Sequence, residues 1–210
     1  MNILAIECSQ PRASLCLSSG AEMRSEAGWT AERNHDSFLF PALQQVLDAL
    51  GSETLDYVLV GAGPGSYGGV RVALAAAVGI ATVKGARVVA IGSWNDLAAD
   101  GYAIVSDARR GGWTVRRADG CIEVLTPEQL RTEIERGLKV ASIEKAETLM
   151  KVGLNIERTE LVPTAQGLVR SWRALTPEQQ TALAEAPAEP IYVRPPHITE
   201  AKHKPWEVKN

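Results

Sequence analysis

"GAGPGSYGGVR", Gly61 to Arg71, places five glycines and a proline between the apolar run Tyr57–Val60 and a second apolar run that extends to Val83. Three readings compete for such a stretch: a phosphate cradle, a strand-to-helix turn, or a turn that also shapes a partner surface. A phosphate-binding P-loop requires G-x-x-x-x-G-K-[ST], because the lysine neutralises phosphate and the hydroxyl holds the metal. Here Val70 and Arg71 follow Gly69. The G-x-G-x-x-G dinucleotide fingerprint fails as well, since Gly61, Gly63 and Ser66 miss its spacing. The free amides of a helix N-terminus still attract anions, so a weaker anion site stays open at this point.

Working outward, "ILAIECS" (Ile3–Ser9) and "ASLCLSS" (Ala13–Ser19) read as a hairpin, with a third strand expected over Ala21–Ala27. A helix is expected from Asp36 or Ser37 to Leu50, stopped at Gly51. "DYVLVGAG" is an uninterrupted apolar strand, as in a sheet covered on both faces, and "ARVVAIG" (Ala86–Gly92) is a second. From Tyr102 the pattern repeats, with strand, turn, strand, turn, strand to Leu125 and glycines at 111, 112 and 120 marking the corners. "TPEQ" at Thr126 and again at Thr176 predicts helix starts, with threonine as cap, proline at the first helical position and glutamine reaching back. A strand over Leu138–Ile143 and helices over Glu144–Val152 and Ala165–Leu175 complete the list, and the proline-rich tail from Pro190 is expected as an extended surface arm. Two meanders, each followed by alternating helices and strands, suggest a duplicated α/β unit with the layout of the actin-like ATPase fold. The expected lobes are residues 1–99 and 100–210, each with a mixed sheet and flanking helices.

Composition excludes several classes. The 22 basic and 25 acidic residues give a formal charge of -3, so the whole molecule carries no electrostatic footprint for nucleic acid. The start "MNILAIECSQ" lacks a basic segment, and no stretch reads as the ~18 apolar residues of a membrane span, so a soluble, cytoplasmic chain with no membrane contact is expected. Cys8, Cys16 and Cys121 are odd in number and show no CxxC spacing; two lie in apolar strand-like runs, so they read as small buried hydrophobes in a reducing compartment.

Catalytic machinery is sparse. His35, His197 and His203 lack the i, i+4 spacing that offers two imidazoles to one metal, so neither metal nor cofactor is expected. Glu7 and Asp107 end equivalent strands of the two lobes, where an actin-like kinase places carboxylates, although a strand-end acid is more often a turn or cap residue. Arg109, Arg110, Arg116 and Arg117 could meet RNA phosphates or form a solvated hairpin face. The helices on either side of "DYVLV" carry more information. Phe38, Leu39, Phe40, Ala42, Leu43, Val46, Leu47 and Leu50 span an arc of roughly 200°, about twice the stripe that packing on one core needs. Val70–Val83 is apolar or small on nearly every side, broken only by Arg71 and Thr82, so this helix is expected to be covered all round, either by its own core or partly by a second chain.

"ILAIECS", "NHDSFLFPALQQVL", "VGAGPGSYGGVRVALAAAVGIA", "DARRGG" and "EPIYVRPP", in that order, resemble the bacterial TsaB family, also called YeaZ. The resemblance implies the actin-like (ASKHA) fold and a non-catalytic relative of TsaD, the transferase that completes N6-threonylcarbamoyladenosine in tRNA. It implies an accessory subunit that binds and activates TsaD in a system that includes the ATPase TsaE, meeting tRNA only indirectly and pairing as a homodimer when alone. TsaD's paired-histidine metal motif has no counterpart here. The implied partner surface falls on Phe38, Phe40, Leu43 and Leu47 of the first helix, on Gly65, Ser66, Tyr67 and Gly69 of the loop, and on Arg71, Leu74 and Val78 of the second helix. The family commonly reads D-T-S where this chain has Glu7, Cys8 and Ser9, and phenylalanine and threonine where it has Tyr67 and Gly68. The alternative is a small actin-like enzyme that binds a nucleotide between the lobes through Glu7, Ser9 and Asp107.

Overall fold

A computed structural model describes residues 1–31, 35–98 and 101–193. The expected tail beyond 193 and the exact 99/100 lobe boundary lie outside the described residues. Strands β1 (Asn2–Glu7), β2 (Arg12–Ser19) and β3 (Glu22–Thr30) form the expected antiparallel meander, and β4 (Tyr57–Gly61) and β5 (Arg87–Ile91) add parallel strands on the other side of β1, giving the order β3-β2-β1-β4-β5. All six residues of β1 are buried because both faces of the sheet are covered. The two-residue period then divides the strands between two cores. Leu4, Ile6, Leu15, Leu17, Val58 and Val60 face helices α1 (Asp36–Asp48) and α2 (Tyr67–Lys84), whereas Ile3, Ala5, Cys16, Leu59, Val89 and Ile91 face the opposite side.

The second sheet repeats this order. β6 (Ala103–Asp107), β7 (Trp113–Arg116) and β8 (Ile122–Leu125) form a meander, and β9 (Val140–Ser142) lies parallel to β6, giving β8-β7-β6-β9. Helix α3 (Pro127–Glu135) follows β8 as α1 follows β3, and α4 (Ala146–Met150) follows β9 as α2 follows β4. The duplicated order is that of the actin-like ATPase fold, with no counterpart of β5 in the second sheet.

Both "TPEQ" stretches build the capping boxes that their spacing predicts, at α3 and at α6 (Pro177–Glu185). Helix α5 (Ala165–Arg173) does not stay with the second sheet. Its Ala165, Leu168, Val169 and Trp172 cover the Ile3/Ala5/Leu59 face of the first, with the Trp172 ring 5.1 Å from that of Tyr57, and Leu183 and Ala184 of α6 extend the same cluster. The Ala165 amide donates to Ser14 Oγ at 2.9 Å, and Arg173 donates to Ser18 and Gly20, which pins α5 to β2 and the turn that follows it. Each expected lobe thus holds one sheet, but the chain after residue 164 crosses back to the first.

Other differences are local. α2 starts at Tyr67 rather than Val70, because Ser66 caps it. At 18 residues it has the length and composition of a membrane span, yet its Ala73, Ala76, Ala77 and Ala81 pack into the core beneath the sheet and α1. It is not covered all round, and Val78 and Val83 stand exposed, because the sheet and α1 reach only one side of it.

Candidate functional site

The glycine loop is built against the end of β1. The Ser66 amide donates to the Ser9 carbonyl at 2.7 Å, while Ser66 Oγ accepts from the Gly69 amide at 3.2 Å. Gly65 has φ +155°, and a Cβ there would overlap the Ser9 carbonyl; at Gly69 it would overlap the carbonyl of Cys8. Glycine at these two positions lets the loop lie directly on the Cys8–Ser9 backbone. Ser93 holds the other side, with its amide on the Gly63 carbonyl at 2.9 Å and its Oγ accepting from the Gly63 amide at 3.0 Å. The amides of Gly63, Ser66 and Gly69 are thus occupied by protein acceptors.

Of the nucleotide candidates, Glu7 and Ser9 are wholly buried beneath this loop. Glu7 Oε1 accepts from the Ser9 amide at 2.7 Å. Burial pushes its carboxyl above the ordinary carboxylate range, opposed only in part by Ser9 and Ser93. A raised folded-state pKa means that the folded chain keeps a proton the unfolded chain releases, so the contribution of Glu7 to stability is fully present below pH 4.5 and is lost as pH rises from there towards the folded value. Glu7→Gln should remove that loss; denaturant midpoints across pH 4 to 7, compared between variant and parent, would check it.

Asp107 is placed elsewhere, in a cleft of about 210 Å3 between the sheets, lined by Ala62, Pro64, Tyr67, Ser106, Thr114 and Ile191 among others. Its Oδ1 accepts from the Arg109 amide at 2.7 Å, closing a turn in which Arg109 and Arg110 adopt left-handed backbone. Glu7, Ser9 and Asp107 therefore do not converge on one open cleft: Glu7 and Ser9 are sealed in by the loop, and Asp107 is a turn residue at the cleft wall. The basic cluster is dispersed as well. Arg117 pairs with Glu123 and with Glu133 at 2.7 Å, and Arg116 bonds Asn95 Oδ1 at 3.0 Å. The thiols of Cys8 and Cys16 are pushed up by burial, Cys16 to about 12, which leaves them unreactive.

An open apolar groove lies between α1 and α2. Phe40, Leu43, Gln44 and Leu47 face Val72, Ala75, Ala76, Gly79 and Ile80 across a groove of about 600 Å3. Phe38, Phe40, Tyr67 and Val78 are 48–58% exposed, too much for core residues. Leu43, only 4% exposed, forms the floor of the groove, and Leu47 and Leu74 are half-buried. Sequence reasoning missed Val72 and Ile80. Val72 lies beside Gly79 around α2, which was the signal available, whereas Ile80 stands half a turn away from Arg71.

A family profile described as TsaD, tRNA N6-adenosine threonylcarbamoyltransferase, matches residues 29–124, which include α1, the glycine loop and α2. The Bacillus subtilis (strain 168) protein described as tRNA threonylcarbamoyladenosine biosynthesis protein TsaB is 29% identical over 140 residues, a stretch covering 61% of this chain and 61% of that protein. Two solved structures share the fold. One, described as an uncharacterized protein with similarity to peptidase YEAZ from Pseudomonas aeruginosa, superposes with a TM-score of 0.70 at 21% identity over 92% of this chain and 99% of its own. The other, YeaZ from Pseudomonas aeruginosa, gives 0.66 at 22% identity over 91% and 99%.

Proposed function

We propose that the chain is a member of the TsaB (YeaZ) family, as its similarity to the Bacillus subtilis protein and the TsaD profile supports, and that it is a cytoplasmic, non-catalytic accessory subunit in the synthesis of tRNA N6-threonylcarbamoyladenosine. It docks the α1–α2 face on a TsaD-like transferase, works alongside a TsaE-like ATPase, and meets tRNA only through its partners. The observation that supports this reading is the open apolar groove. Exposed phenylalanines beside a 600 Å3 trough of small and aliphatic side chains are the surface of a protein that buries that face against another. Ala75 and Gly79 on its α2 wall allow a partner helix to approach closely. The occupied loop amides and the sealed Glu7 fit a loop that supports α2 rather than one that performs chemistry.

The test mixes the purified chain with the TsaD-type transferase of its own organism. Sedimentation should show a complex, and tRNA modification should rise when the chain is added; no complex and no gain in modification would overturn the reading. Alone, the chain should sediment as a homodimer at micromolar concentration through the same face, and a monomer there would count against self-pairing.

A further inference from the structure

The described residues of the C-terminal segment, Pro190–Val193, form a strap along the glycine loop. The Ile191 amide donates to the Ala62 carbonyl at 2.8 Å, and the Tyr192 ring lies 5.3 Å from the Tyr67 ring, tilted by 31°. Tyr67 opens α2, and one turn later Arg71 sits with its guanidinium carbon 5.0 Å from the centre of the Tyr67 ring and Nη1 donating to the Tyr67 hydroxyl at 3.2 Å. At 100° per residue, Tyr67, Val78, Arg71, Thr82, Ala75, Gly68, Gly79 and Val72 follow one another across an arc of about 140°. All but Val72, which is half-buried, are exposed. One edge of this arc borders the α1 groove, and the other is marked by Tyr67 under Tyr192. The Thr82 hydroxyl is turned back onto the Val78 carbonyl, so Arg71 is the sole charged side chain on the arc, and it has no ion pair among the described residues.

We propose that the partner surface does not end at the α1–α2 groove but crosses α2 to the strap, so that Tyr192 contacts the transferase and a carboxylate of the transferase seats against Arg71. This deepens the docking function proposed above and rests on it. Tyr67 holds the guanidinium by its ring and its hydroxyl, so little freedom is lost when a carboxylate arrives. Half-exposed tyrosines around an arginine are also the side chains in which interface energy concentrates. Among the described residues, Arg71 is a cation without an ion-pair partner in an otherwise uncharged face, and carboxylate complementarity is what that arrangement selects.

The experiment measures the dissociation constant of the full chain with its transferase by titration calorimetry at low and at moderate salt, for the parent, Tyr192→Ala and Arg71→Gln. Both side chains are solvent-facing, so circular dichroism and the thermal midpoint should stay at parental values. Each variant should weaken binding by about tenfold or more, and Arg71→Gln should also flatten the salt dependence. If both variants bind as the parent does, with the same salt dependence, the strap surface is wrong. A groove variant, Phe40→Asp with Leu47→Asp, separates the two ideas. Loss of binding in that variant alone leaves docking in place and removes the strap, whereas parental binding in all three overturns docking itself.

Discussion

Phe40→Asp combined with Leu47→Asp should leave a folded monomer that no longer associates with the transferase. Phe40 is 58% exposed, so its replacement removes little from the core, and Leu47 lies half-buried at the rim of the groove. Docking would carry two carboxylates into a trough lined mainly by aliphatic and small side chains with no cation to meet them. Leaving one uncompensated charge buried costs about 3–5 kcal/mol, and each 1.4 kcal/mol is tenfold in affinity, so a loss of at least about 100-fold is expected. Sedimentation with and without the transferase reads the effect, and circular dichroism confirms that the fold survives. Undiminished pairing would place the interface elsewhere on the molecule.

Trp172→Ala should have the largest effect on stability. The indole is fully buried between α5 and the first sheet, among Ile3, Ala5, Leu59 and Tyr57. Removing so large a buried side chain costs about 3–5 kcal/mol, a large share of a domain's total of about 5–15 kcal/mol. A urea midpoint shift of the full chain measures it. By the same reasoning a chain ending at residue 99 should fail to fold cooperatively, because Ile3, Cys16, Leu59, Val89 and Ile91 would face water along one whole side of the sheet. A sharp unfolding transition in that fragment would show that α5 is dispensable.

The strand order could be read because its signals are local. Buried strands such as β1 and β4 announce themselves as short apolar runs, and Thr126 and Thr176 carry their caps within four residues. Two phenylalanines on a short helix pointed to the open α1–α2 groove for a similar reason, since an arc too wide for one core is visible from spacing alone. What escaped was long-range. α5 is plainly amphipathic, but nothing within it says that its apolar side belongs to strands of the first sheet, Ile3 and Ile91 among them, far back along the chain. Glu7 read as a strand-end acid, a carboxylate candidate or a turn and cap residue; its burial comes from the loop at Gly61–Gly69 folding over it. Tyr192 sat in a polar, proline-rich tail, and its contact with Tyr67 crosses 125 positions of chain.

The return of α5 to the first sheet also sets the order in which the molecule can be completed. Ile91 ends the first sheet, and Trp172, which covers that sheet's second face, follows 81 positions later. At about 5–20 residues per second of synthesis, that face stays bare for several seconds on the ribosome. During that interval the whole second sheet emerges, and it carries its own core of Val105, Trp113, Val115, Leu130 and Leu149. The lobe made second is therefore the first able to close, and the nascent first lobe waits for its last helices before it is sealed.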